Sequence, residues 1–575
     1  MAEPRKNAGS ARAATAKKAP AKKATTKKAV AKQVAPPSAT APAPTPAVEA
    51  PPKRSTPLAA SGSTWSLAYR VTAVVLVLAA FLLLLKLNDQ QEGGPAHGEF
   101  SIGDGIPATL YLPVDAEDDG DLPEPLPKGE RPPVIVMAHG YSADRASMSG
   151  MARSLARAGY AVVNIDLRGH GSNTHAFRGD LRDDFAAAVD WATTTPWVDG
   201  SRLAVLGHSM GAGAALDFAT IDNRAKAVVP VSGGWVANDA VTPAHTLFLV
   251  GSGDPDRIGE RQDTLARELR KAGGQVTQRE ISADHITILR DGATIGAITE
   301  FLDPLLDIHR DGPTPGLDDP RMKTAALYLL VALALVAVLG LAVGQAVPAN
   351  AAGGGDDRPM WSGFAMAAVA MVLAMPLLAV GGFDLLPIGA GQPIVMHLLL
   401  ASALLWGGRA LAQRGQLSGR LGTWLGGGQW LSLRTSGWAG LAASAVIVSL
   451  LIPMGPVFHR MVPTPERAVY WVVMALASLP FYAAYEALLR RGRTLRANIA
   501  GALGKVLLLA VMFVGLGVGA LPSVIGLILP LLVLQFVLLE LFAATAYARG
   551  RNTTMIAVVD AVLIGFVTVA LTPIG

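Results

Sequence analysis

The sequence predicts two structural classes in one chain: an α/β domain with a mostly parallel sheet, and an all-α bundle of about eight membrane-spanning helices after it. Three observations predict this. Apolar runs of roughly 20 residues, enough to cross a bilayer, are confined to one segment near residue 75 and to the chain after about residue 324. Between them, residues 92–320 alternate short β-branched runs with helical patterns, the arrangement of a parallel sheet covered by helices. Over all 575 residues the composition is 51% hydrophobic and only 16% charged, more apolar than a soluble chain.

Residues 1–64 are Ala/Lys/Pro-rich and hold 12 Lys/Arg against Glu3 and Glu49, so this tail accounts for the basic pI of about 9.3 while the remainder is net acidic. It has too little apolar surface to offset the entropy of ordering and is expected to be disordered. Its doubled lysines suit anionic lipid headgroups, rather than nucleic acid, as partner. Residues 65–91 carry "VTAVVLVLAAFLLLLKL" (71–87). The long basic region before it, and the lack of a small-x-small site after it, make it an uncleaved signal anchor.

In 92–320 the strands are read at 132–140, 160–169, 202–211, 226–234, 245–254 and 275–282, after an antiparallel hairpin at 98–113. Helices are expected to begin near Arg145, Gly179, Met210, Asp256 and Gly292. The stretch "GHSMG" (207–211) fits G-x-S-x-G between a strand and a helix. A serine in so tight a turn has strained backbone angles, and nearly side-chain-free neighbours let the turn close, lifting Ser209 Oγ above the sheet. A serine hydroxyl is a poor nucleophile without a base and an orienting acid. Asp254 ends the strand "TLFLVGSGD" and His285 follows the last strand in "SADHITIL", both at the C-terminal edge of the sheet and in the order serine, acid, histidine. Asp256 competes with Asp254, as acid or as cap of the next helix. His139, His170 and His208 are expected to support loops, as are Asp166 and Arg168.

With "MAHGYS", "DLRGHGSN", "GHSMGAGAAL", "GSGDPD" and "ADHITIL" in this order, residues 96–308 resemble the α/β-hydrolase superfamily, particularly its dienelactone-hydrolase-like and serine-aminopeptidase-like esterase branches. The resemblance implies the α/β-hydrolase fold, with Ser209 as nucleophile, Asp254 as acid and His285 as base. It also implies an oxyanion hole from the backbone N–H groups of Tyr141 and Met210. The family often inserts a lid before the acid; here only 11 residues separate "PVSGG" from "TLFLV", so an open site is expected.

Residues 321–575 form the bundle, with spans at about 324–347, 361–381, 385–407, 436–457, 468–489, 498–519, 522–546 and 554–573. Arg409, Arg414 and Arg420, then Arg490, Arg491, Arg493 and Arg496, then Arg549 and Arg551 gather in three alternate loops. The positive-inside rule makes these loops and the N-terminus cytoplasmic and residues 92–320 extracytoplasmic, in a multi-pass membrane protein. Lys505, Glu540 and Asp560 lie at similar depth in successive spans, which permits a buried cluster; Glu486 and Arg490 read as a local pair.

There are no cysteines, which excludes disulfides and thiolate chemistry. With no metal-ligand cluster or phosphate loop in the sequence, neither metal nor cofactor is expected. The function read from these residues is hydrolysis of an acyl ester or lipid-like small substrate, with thioesters and amides open. A transport or regulatory protein carrying a hydrolase-like domain, and an acyltransferase or peptidase using the same three residues, are the alternatives.

Overall fold

A computed structural model describes residues 62–115, 122–178, 180–235, 243, 245–310, 312, 316, 319–350, 360–381, 385–427 and 430–575. The expectation for the basic tail falls almost wholly outside the described residues, as does Gly179.

Helix α1 (Gly62–Glu92) leads into the hairpin β1 (Pro95–Ile102) and β2 (Ile106–Asp115). The hairpin turns at Gly103 and Gly105, both at positive φ, where a side chain would be strained. Then follow β3 (Pro133–Ala138), α2 (Arg145–Arg157), β4 (Ala161–Ile165), α3 (Arg182–Thr194), β5 (Asp199–His208), α4 (Met210–Ala219), β6 (Ala227–Val231), β7 (His245–Gly251), α5 (Asp256–Lys271), β8 (Gln275–Ile281) and α6 (Gly292–Leu302). The strands form one sheet in the order β1-β2-β4-β3-β5-β6-β7-β8. The pairs from β4 to β8 are parallel, while β1–β2 and β2–β4 are antiparallel.

The central strands are near-continuous apolar runs because both faces are covered. Alternation divides β3 between two cores: Val134, Val136 and Ala138 pack with α3, α4 and α5, whereas Ile135 and Met137 pack with α2 and α6. Edge strand β8, "QVTQREI", is mostly polar and exposed, which suits an unpaired edge.

The remaining helices are α7 (Arg321–Ala346), α8 (Met360–Gly381), α9 (Gly391–Gln413), the short α10 (Gly419–Gly426), α11 (Arg434–Leu451), α12 (Pro465–Leu489), α13 (Thr494–Gly517), α14 (Ile525–Gly550) and α15 (Thr553–Leu571). Among the described residues, nine helices including α1 are long and apolar enough to cross a membrane. Helix α15 is apolar around its circumference and buried along nearly all its length, so it forms the centre of the bundle. Gly340 and Gly344 let α7 approach the α14 backbone at Phe542 and Ala546 more closely than a side chain allows.

Three expectations need correction. The span expected at 385–407 is α9, starting at Gly391: Pro387 and Gly389 disfavour helix, and Ile388 instead bridges to Ile574. Glu486 and Arg490 are not merely a local pair. Arg490 Nη2 also reaches Glu540 at 2.5 Å, and Lys505 Nζ lies 3.5, 3.2 and 3.5 Å from Glu486, Glu540 and Asp560. Arg490 is therefore a buried cluster residue rather than a solvated loop charge. Finally, the site is not open, because the α/β segment sits on the bundle by the loops at the C-terminal ends of its strands.

Arg467, near the start of α12, makes the principal joint between the two parts. Its guanidinium donates to Gly169 O (2.6 Å) and Gly171 O (3.2 Å) after β4, and to Val569 O (2.5 Å) and Thr572 O (2.9 Å) of the last span. Asp144, which caps α2, accepts from the Arg460 N–H at 2.6 Å, and Tyr141 Oη accepts from the Ala390 N–H at 3.1 Å. Helix α12 then runs 25 residues away from this joint, about 36 Å. The turn bearing Arg491 and Arg493 thus lies at the far end of the bundle.

Candidate active site

Ser209 is the single residue between β5 and α4, at φ 52° and ψ −109°. That strained conformation is held by the Ser209 N–H donating to Val231 O (2.8 Å) and the Gly211 N–H donating to His139 O (3.1 Å). The two flanking glycines have a steric cause. A Cβ on Gly211 would stand 2.6 Å from the carbonyl oxygens of Ala138 and His139, and one on Gly207 would collide with the Gly211 backbone.

The structure brings Ser209, His285 and Asp254 together. His285 Nε2 lies 3.0 Å from Ser209 Oγ, and His285 Nδ1 lies 2.6 Å from Asp254 Oδ1. Asp254 Oδ2 accepts from Ser232 Oγ (2.6 Å) and from the Gly251 N–H (2.7 Å). Burial pushes the Asp254 carboxyl upward, but hydrogen bonds from His285, Ser232 and Gly251 outweigh it and hold the group below the usual carboxylate range. An ionised carboxylate only accepts, so Nδ1 carries the imidazole proton and Nε2 is left as an acceptor facing the serine hydroxyl. Asp256 is exposed at the first turn of α5 and takes no part.

Tyr141 follows β3 and Met210 opens α4; among the described residues neither backbone N–H has a hydrogen-bond acceptor. Gly140, Tyr141 and Ser209 line one cavity. His139 Nδ1 donates to Gly140 O (2.8 Å) while its Nε2 accepts from the Leu167 N–H (3.1 Å), which fixes the loop carrying Tyr141. His170 contacts Arg168 O at 3.0 Å, Asp166 holds Arg145 and the Ser172 N–H, and Arg168 pairs with Asp184.

Three further residues shape the site: Ser232 and Arg290, which did not stand out in the sequence, and His208, which was expected to support a loop. Ser232, at φ 48°, anchors Asp254. His208 Nε2 meets His285 O at 2.8 Å; burial, then the neighbouring His285, push its pKa down to about 3, so it is a neutral donor that steadies the His285 backbone. Arg290, just after His285, lines the same cavity. The serine in the middle of "PVSGG", just beyond a buried strand, is the kind of signal that points to Ser232; Arg290 depends on contacts between distant segments.

The cavity, about 230 Å³, is walled on one side by these loops and on the other by Leu329 and Leu333 of α7, Leu451 of α11, Leu534 of α14 and Leu563 of α15. The cover that an inserted lid would provide comes from the helical bundle.

A family profile described as X-Pro dipeptidyl-peptidase (S15 family) matches residues 103–291. The chain is 33% identical over 136 residues to the quorum-quenching protein AidA of Acinetobacter baumannii, covering 22% of this chain and 45% of that protein. It is 29% identical over 167 residues to cutinase 2 of Thermobifida cellulosilytica (28% and 59%), and 28% identical over 212 residues to a bis(hydroxyethyl) terephthalate hydrolase of Streptomyces coelicolor (33% and 66%). The chain thus spans between 45% and 66% of the lengths of these relatives. With the mostly parallel eight-stranded sheet and a serine raised on a strand-to-helix turn, these similarities lead to one conclusion: the segment from β1 to α6 is an α/β-hydrolase domain.

Proposed function

We propose that the protein is a membrane-embedded serine esterase that cleaves a carboxylic ester through an acyl-enzyme formed on Ser209. The observation that carries this reading is the line of Asp254, His285 and Ser209, with contacts of 2.6 and 3.0 Å, ending in a largely apolar cavity. His285 Nε2 takes the hydroxyl proton as Ser209 Oγ attacks the ester carbonyl, while the N–H groups of Tyr141 and Met210 hold the oxyanion. Asp254 steadies the imidazolium. The C–O bond to the alcohol breaks, His285 protonates that alcohol, and water, deprotonated by the same imidazole, releases the acid from Ser209.

An ester is favoured over an X-Pro peptide by the sign of the site. A dipeptidyl-peptidase must capture a free α-amino group, a task for carboxylates. Among the described residues lining the cavity there is no Asp or Glu, and Arg290 is a cation. The nine apolar helices support a multi-pass membrane protein. The turn with Arg491 and Arg493, far from the hydrolase domain, supports a cytoplasmic N-terminus and an extracytoplasmic active domain.

The test is hydrolysis of 4-nitrophenyl esters by purified full-length protein. The wild type should turn over, and Ser209→Ala should lose at least about 10³-fold; equal rates in both would dismiss the reading. Protease added to intact cells should cut residues 92–320, and their protection would reverse the orientation.

A further inference from the structure

The cavity beside Ser209 extends beyond the hydrolase domain into the bundle, where Leu329 and Leu333 of α7, Leu534 and Leu538 of α14 and Leu563 and Val567 of α15 line it. Exposure differs around this wall: Leu531 and Leu534 of α14 are 44% and 41% exposed, whereas Ile528 and Leu538 on the same helix and Leu563 of α15 are 1%, 6% and 1% exposed. The cavity is therefore approached from the side of the bundle at Leu531 and Leu534. Leu531 and Leu534 lie six and nine residues into α14, about 9 and 14 Å along the helix from its first residue. With α14 spanning the bilayer as proposed above, that depth sets this side of the cavity against hydrocarbon rather than water.

One charge breaks the apolar lining. Arg290 is mostly buried at the cavity, with its Cζ 5.3 Å from the ring centroid of Phe458. Among the described residues it makes no ion pair and no hydrogen bond. A guanidinium with five donors, partly withdrawn from water, stacked on an aromatic ring and felt by Asp319 only through space, has donors free for an anion at the cavity.

We propose that this site takes an anionic acyl lipid drawn sideways from the bilayer, its ester at Ser209, its chain along α7, α14 and α15, and its negative group on Arg290. The inference rests on the esterase reading above and adds the substrate class. The helices are then part of the substrate site as well as an anchor. The reaction stays hydrolysis: water is consumed, and a fatty acid and an anionic alcohol leave.

The test uses the full chain in phosphatidylcholine nanodiscs and three chromogenic esters: 4-nitrophenyl acetate, 4-nitrophenyl octanoate and the anionic 4-nitro-3-(octanoyloxy)benzoate. Two kcat/KM ratios are read, octanoate over acetate for the chain and anionic over neutral octanoate for the charge. Intrinsic ester reactivity cancels when each ratio is compared between variants. Leu534→Trp, and Leu333→Trp from the opposite wall should the first not fold, are expected to lower the chain ratio at least tenfold, since each buried methylene contributes roughly fourfold. Val537→Trp, exposed on α14 and away from the cavity, leaves it unchanged. Arg290→Gln is expected to lower the charge ratio about tenfold or more, and Arg290→Lys to restore part of it. If either ratio stays within twofold of wild type while Ser209-dependent acetate hydrolysis persists, this inference is overturned and the esterase reading stands. If Ser209→Ala hydrolyses acetate as the wild type does, both are overturned.

Discussion

Replacing Asp254 by Asn changes one atom and tests whether the carboxylate sets the histidine tautomer. Asp254 receives three donors: His285 Nδ1 on one oxygen, and Ser232 Oγ and the Gly251 N–H on the other. An asparagine has one acceptor oxygen and one donor amide. The Gly251 N–H cannot be reversed, so the oxygen turns to it and the NH₂ faces His285. Nδ1 must then accept, and the proton moves to Nε2, where it points at Ser209 and removes the base. The flipped amide would set NH₂ against the Gly251 N–H at about 2.7 Å, and an unsatisfied buried donor costs roughly 1–3 kcal/mol. The wrong tautomer is therefore favoured by about 5- to 150-fold. Loss of the negative charge that stabilises the imidazolium adds about 1.5–3 kcal/mol. Together these give a fall in kcat/KM of about 10² to 10⁴-fold on 4-nitrophenyl acetate, with thermal stability little changed. A loss under tenfold would refute the proposed tautomer control.

Other perturbations test the elbow, the buried histidine and the bundle. Gly211→Ala puts a Cβ 2.6 Å from two carbonyl oxygens, so it should cost at least about 1–3 kcal/mol and abolish labelling of Ser209 by a fluorophosphonate; an unstrained, labelled variant would contradict the packing. The depressed pKa of His208, about 3, means that the folded chain keeps it neutral while an unfolded chain protonates it below about pH 6.5. Its contribution is complete above pH 6.5 and is lost as pH falls toward 3, at up to about 1.4 kcal/mol per pH unit. In denaturant titrations, His208→Gln should make the pH dependence of stability between pH 6 and 4 shallower by about one proton, and an unaltered slope would count against it. Lys505→Met leaves the carboxyl groups of Glu486, Glu540 and Asp560 with Arg490 as the one remaining cation of the cluster. It should cost about 3–5 kcal/mol, read as a lower unfolding temperature in detergent.

What could be read from the sequence depended on how local each signal is. Strands β3 to β7 show as β-branched runs because their burial on both faces dictates composition, and Gly207 and Gly211 flank Ser209 because the turn itself excludes side chains. Asp254 and His285 each follow a recognisable strand, although they stand 31 residues apart. Arg290 carries no such mark, since its isolation depends on Phe458 approaching it from the bundle. The bundle cover was illegible for the same reason: hydropathy reports that α14 and α15 are apolar but not that one face of each looks onto a serine. Arg490 was misread because a loop arginine and a buried one have the same spacing to Glu486, and Glu540, 50 residues further on, makes the difference.

The most direct measurement is covalent labelling of the folded, full-length protein with a fluorophosphonate, followed by peptide mass spectrometry. The account predicts a single adduct on Ser209 that disappears in Ser209→Ala and after heat denaturation. An unlabelled folded wild type, or an adduct that survives in Ser209→Ala, would contradict it.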